Sequence, residues 1–104
     1  MTLIDIGELS DFEQGVPRQL HVDGRVLVAV RIEERVYVLD DRCSHEEFSL
    51  SDGEVDVESG EIECARHGAM FRLSDGAALS LPATRPVAHY DVRSNAGRLE
   101  VEMP

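Results

Sequence analysis

The chain has 104 residues, which suits one domain at roughly 100–200 residues per domain, so a single unit over 1–104 is expected and a second catalytic domain has no room. Twenty-one acidic residues stand against ten basic ones, for a formal net charge of −11 and a pI near 4.6, which excludes nucleic acid and anionic membranes as partners. No stretch approaches the ~20 apolar residues of a spanning helix, and the start MTLIDIGELSD lacks the cationic and apolar blocks of an export signal, so a cytoplasmic protein is expected.

In chain order, the first element is at most one helical turn near Ile6 to Phe12, where Gly7 and acidic flanks prevent anything longer. QLHV and RVLVAV flank Asp23-Gly24, the strongest hairpin signal, because Asp-Gly supplies the positive φ angles of a two-residue turn. Val26 to Ile32 (VLVAVRI) and Val36 to Leu39 (VYVL) are short apolar runs rich in Val, Ile and Tyr, separated by the turn signal Glu33-Glu34, and predict strands. Val87 to Val92 and Leu99 to Val101 predict two more, with a turn over Ser94-Asn95-Ala96-Gly97 and another at Asp75-Gly76. No window of a dozen residues carries a helical stripe. The predicted class is all-β.

The stretch from about 40 to 86 differs from its flanks. It holds both cysteines, two of the four histidines, Pro82, Pro86, and glycines at 53, 60, 68 and 76, the composition of loops that carry chemistry. Two cysteines in a reducing compartment are expected to be unpaired, catalytic or metal-bound. Cys43-Ser44-His45 and Cys64-Ala65-Arg66-His67 give C-x-H-x18-C-x-x-H, each half offering one thiolate and one imidazole. A buried Cys or a hydrogen-bonded His is the bland reading of either residue alone, but two pairs in the same order point to metal. Zinc is satisfied by two Cys and two His, although its usual spacing groups like with like. The mixed halves suit a two-iron cluster in which two loops each give one sulfur to one iron and one imidazole to the other.

The residues around the ligands carry a resemblance to the Rieske family of [2Fe–2S] proteins. CSHEEFSLSDG (Cys43 to Gly53) and CARHGAMFRLSDGAALSLPATRPVAHYDVR (Cys64 to Arg93) are similar to the two cluster loops, proline loop and following strand of soluble Rieske ferredoxins, and GRVLVAVRIEERVYVLDDRC to their central strands. The resemblance covers nearly the whole chain. It implies stacked antiparallel β-sheets with two cluster-binding hairpin loops, Cys43 and Cys64 on one iron, and His45 and His67 on the other. It implies a one-electron carrier, not an enzyme, passing electrons from an NAD(P)H-dependent flavin reductase to a terminal oxygenase.

In the respiratory branch of that family each loop carries a further cysteine, and a Ser and a Tyr donate hydroxyls to the cluster. Phe48 and Arg66 stand at the cysteine positions here, and Ala69 and Phe71 at the hydroxyl positions, so a potential toward the low end of the Rieske range of about −150 to +300 mV is expected. Gly68 invites close approach of the backbone to the cluster or serves a turn. Pro82 resembles the covering proline loop.

Glu46, Glu47, Asp52, Glu54, Asp56, Glu58, Glu61 and Glu63 form an acidic run with no basic residue among 46–63. As a strand, Glu54, Asp56 and Glu58 would share one face opposite Val55 and Val57, an acidic surface that steers a basic partner. Arg42 and Arg66 neighbour the cysteines and could oppose that field, while His21 and His89 lie in strand patterns and read as structural. Three alternatives remain at the level of sequence: a structural zinc-binding interaction module, an iron–sulfur assembly accessory, and a protein like the small subunit of nitrite reductase, many of which lack these ligands.

Overall fold

Leu27 to Val30 are four consecutive residues at 0% exposure, so this strand is covered on both faces. A strand buried on both sides reads as a continuous apolar run. The computed structural model describes residues 2–42, 49–65, 68–81, 83 and 85–104, and its strands are β1 (Thr2–Glu8), β2 (Arg18–Val22), β3 (Arg25–Ile32), β4 (Arg35–Asp40), β5 (Val55–Asp56), β6 (Glu61–Glu63), β7 (Met70–Arg72), β8 (His89–Tyr90), β9 (Val92–Asn95) and β10 (Arg98–Met103). They form three antiparallel sheets, ordered β2-β3-β4-β8, β1-β10-β9 and β5-β6-β7.

The four-stranded sheet is central, because its two faces belong to different apolar layers. Val28, Val30 and Leu39 pack with Leu50, Ile62, Cys64, Ala69, Phe71, Leu73, Ala83 and Val87 toward β5-β6-β7. Leu27, Ala29, Val36 and Val38 pack with Phe12, Tyr90, Leu99, Val101 and Met103 toward β1-β10-β9. The period of two along each strand sorts its residues between the layers.

The Asp23-Gly24 hairpin forms as expected: Val22 pairs with Arg25, and φ is +50° at Asp23 and +77° at Gly24. Glu33 also turns with φ +57°, unusual for glutamate, and is held by Gln14 Oε1, which accepts its N–H at 3.0 Å, and by Arg31 Nε, which donates to its carbonyl at 2.8 Å. The helical turn near Ile6 to Phe12 is a single 3-10 turn, Leu9–Asp11.

Three expectations change. The predicted strand Val87 to Val92 divides at Asp91: Tyr90 pairs with Val38 in the central sheet, and Val92 with Val101 in another. The turn at 94–97 narrows to Ala96 and Gly97, because Ser94 and Asn95 are ladder residues facing Leu99 and Arg98. Thr2–Glu8 is a strand, against β10, that the N-terminal sequence does not announce.

Candidate metal centre

Strand β6 ends at Glu63, and Cys64 follows at the mouth of a tight loop leading to β7. Glu63 pairs with Met70 as the last rung; beyond it Cys64 N–H donates to the Ala69 carbonyl at 2.8 Å and Gly68 N–H to the Cys64 carbonyl at 2.9 Å. Gly68 has φ +74°, and among the described residues, its chain neighbours aside, no atom lies within 4 Å of the position a Cβ would take. The left-handed backbone at this position favours glycine. Cys64 is at 0% exposure, in one layer with Leu50, Ile62, Ala69 and Phe71.

Of the four expected ligands, Cys43, His45 and His67 lie outside the described residues, as do Phe48, Arg66 and Pro82. Their flanks are described and converge. The return of the first segment makes a 3-10 turn, Leu50–Asp52, and Gly53 N–H closes it on the Leu50 carbonyl at 2.9 Å. A Cβ on Gly53 would lie 1.7 Å from the Glu63 carbonyl oxygen, so only glycine lets this turn seat against the residue before Cys64. Glu63 N–H then donates to the Glu54 carbonyl at 2.8 Å. Leu79 and Ser80 are laid along β7 in the same way, with Leu79 N–H on the Met70 carbonyl at 2.8 Å and Met70 N–H on Ser80 Oγ at 2.9 Å. This leaves Leu81 78% exposed.

Ala69 and Phe71, expected to stand where hydroxyl donors would be, are both fully buried in the layer that contains Cys64. Arg42 is exposed, and His21 and His89 are exposed on β2 and β8. In the acidic run Asp52, Glu54, Asp56 and Glu58 are exposed and alternate with half-buried Gly53, Val55 and Val57. The expected strand geometry is nevertheless corrected. β5 covers only Val55–Asp56, and Glu58 lies in a turn whose N–H groups at Glu58 and Ser59 donate to Asp56 Oδ1. At the end of β7, the Ala77 N–H and the Arg72 guanidinium hold the Asp75 carboxyl below its ordinary value of 3.8. Asp41 is a buried acid that no motif in the sequence marks. Its one sequence signal is an aspartate that follows an apolar strand and stands two residues before a cysteine.

The residues present fit an iron–sulfur group. A thiolate buried among apolar side chains is costly unless a cation neutralises it, and Cys64 sits at such a position. The set of two thiols and two imidazoles supplies soft sulfur and borderline nitrogen.

The model of the Rieske [2Fe–2S] domain matches residues 2–91. The 3-phenylpropionate/cinnamic acid dioxygenase ferredoxin subunit of Escherichia coli (strain K12) is 35% identical over 86 residues, covering 82% of this chain and 80% of that protein. The ferredoxin of carbazole 1,9a-dioxygenase from Nocardioides aromaticivorans IC177 superposes with a TM-score of 0.93 at 36% identity, over 97% of each chain. A chain in a complex of reduced oxygenase and oxidized ferredoxin in carbazole 1,9a-dioxygenase gives 0.87 at 30% identity, covering 95% of this chain and 91% of that one. Fold, buried thiol and these likenesses agree: the chain belongs to the Rieske [2Fe–2S] domain family, whose cofactor is a [2Fe–2S] cluster.

Proposed function

We propose that this protein is the ferredoxin component of a multicomponent oxygenase, accepting single electrons from an NAD(P)H-dependent flavin reductase and delivering them to the terminal oxygenase. It transforms no substrate itself. The observation that carries the reading is the fully buried Cys64 at the loop mouth, packed against the return of the Cys43/His45 segment, in a chain that matches a dioxygenase ferredoxin over 97% of its length.

Cys43 and Cys64 would hold one iron, His45 and His67 the other. When bound, the cluster supplies a one-electron couple. The chain's own residues set its environment: Leu50, Ile62, Ala69 and Phe71 exclude water from the Cys64 side, and neither Ala69 nor Phe71 donates a side-chain hydrogen bond. With no such donor to favour the added negative charge, the potential lies toward the low end of the Rieske range.

Exposed Asp52, Glu54, Asp56 and Glu58 flank the site and would steer the basic surfaces of reductase and oxygenase toward it. The setting is the cytoplasm, where NAD(P)H feeds such a reductase. Anaerobically purified protein should contain two irons and two sulfides, be red-brown and bleach with dithionite, while Cys64→Ser loses the colour. Colourless wild-type protein with one zinc would overturn the reading in favour of a structural zinc module. Electron transfer to the partner should slow as salt rises; a salt-independent rate removes the steering role.

A further inference from the structure

Among the described residues Asp41 is the one buried acid, at 6% exposure. A buried carboxylate persists only where its oxygens accept hydrogen bonds, and here the donors come from the far side of the first ligand segment and from the central sheet. Ser51 N–H donates to Oδ1 at 2.7 Å and Ser51 Oγ to Oδ2 at 2.6 Å. Gln19 Nε2, on β2, donates to Oδ2 at 2.8 Å. The Asp41 N–H donates in turn to the Val26 carbonyl at 3.0 Å, which ties the same residue to β3.

Asp41 precedes Cys43 by two residues, and Ser51 follows His45 by six. The carboxylate therefore joins the two ends of the segment that carries Cys43 and His45. Ser51 also belongs to the 3-10 turn whose Leu50 shares a layer with Cys64, and Gly53 just beyond it is pressed onto the Glu63 carbonyl. One side chain links the base of the first ligand segment to β2 of the central sheet and to the turn that seats against the residue before Cys64.

We propose that Asp41 is a positioning residue that sets the placement of the first ligand pair relative to the second; this rests on Cys43, His45, Cys64 and His67 being the ligands. Asp41 itself touches no iron. It acts through the hydrogen bonds to Ser51 and Gln19 that hold the two described ends of the segment, as outer hydrogen bonds orient the ligands of metal sites in general.

The test compares cluster-loaded wild type with Asp41→Ala, Asp41→Asn, Gln19→Ala and Ser51→Ala. Val101→Ala is the control, since Val101 is fully buried in the opposite layer. Iron loss to a chelator should accelerate about tenfold in Asp41→Ala. It should accelerate less in Gln19→Ala and Ser51→Ala, and to an intermediate degree in Asp41→Asn, whose amide oxygen still accepts the Ser51 N–H. The g values of the reduced electron paramagnetic resonance signal should move in each, whereas Val101→Ala lowers Tm and leaves them unchanged. Gln19→Ala and Ser51→Ala decide the matter if Asp41→Ala does not fold. Variants that lose Tm as the control does, but keep wild-type g values and iron-loss rate, overturn the proposal while leaving the ligand assignment intact. Wild type without iron overturns that assignment and the proposal with it.

Discussion

Strands β1 to β4 and β10 run for five to eight residues, whereas β5, β6 and β7 beside the site have two, three and three. In the long-stranded sheets the backbone is satisfied rung by rung, and a period of two distributes side chains between layers. Around the site it is satisfied by turn and loop bonds such as Cys64 N–H to Ala69, Leu73 N–H to Gly60 and Val87 N–H to Gly76, each to a carbonyl within 2.9 Å. A ladder tolerates many substitutions that keep its pattern. A set of single contacts depends on particular residues, and a bound cluster adds covalent ties where the ladder is shortest.

The strongest way to break this contrast is to remove the cluster. Metal binding is linked to folding, so stripping the iron should cost protection of amides in 49–65 and 68–81 while β3, β4 and β10 stay protected in hydrogen exchange. Uniform loss across both regions would show that they do not differ. Next in size is Gly53→Ala, which forces a Cβ onto the Glu63 carbonyl and should cost about 3 kcal/mol in urea unfolding. Gly60→Ala, at φ +71° with open space around it, should cost only about 1 kcal/mol. Equal costs would mean that the two loop bases are not tightly packed.

Phe71→Tyr and Ala69→Ser sharpen the comparison electronically, by adding hydroxyl donors to the layer of Cys64. A bond that favours the reduced form tenfold raises a one-electron midpoint by about 59 mV; voltammetry showing no rise would deny these positions any influence on the cluster.

The long-stranded region offers a smaller test at Tyr90, whose hydroxyl donates to Asp40 Oδ1 at 2.6 Å and accepts from Arg25 Nη1 at 3.1 Å. Tyr90→Phe should cost about 1 kcal/mol. Burial, aided by the Asp40 carboxylate, pushes the phenol above its ordinary value of 10.0. The folded state thus holds this proton more tightly, and the contribution is full below pH 10.0 and lost as pH rises through the higher folded value. Alkaline unfolding curves of wild type and Tyr90→Phe should therefore converge.

The smallest effect belongs to Asp5, exposed on β1, whose carboxyl is held below 3.8 by the Arg98 guanidinium and the Gly7 N–H. Its contribution is present above 3.8 and disappears as pH falls through the lower folded value, so Asp5→Asn should differ slightly from wild type near neutrality and not at all in strong acid. A difference that persists in acid would contradict the ion pair as its source.

The class, the central strands and the Asp23-Gly24 turn are legible because short runs of β-formers and positive-φ residues act within a few positions. The Cys/His halves stand out in the sequence because ligand chemistry is carried by residue type and spacing; the structure describes only Cys64 of the four, and Cys43, His45 and His67 lie outside the described residues. Glu58 was misplaced because the Asx turn at Asp56 competes with continuing a strand. Asp41 was passed over because nothing adjacent to it names Gln19 or Ser51 as its partners.

Local order in this protein is written in neighbouring residues, through strand period and the φ each turn demands. Whether Tyr90 joins Val38 while Val92 joins Val101, whether Thr2–Glu8 finds β10 at the other end of the chain, and whether Gly53 seats on Glu63 are settled by contacts between distant segments. Such pairings carry no local signature, because their free energy comes from surfaces that exist only once the layers have met.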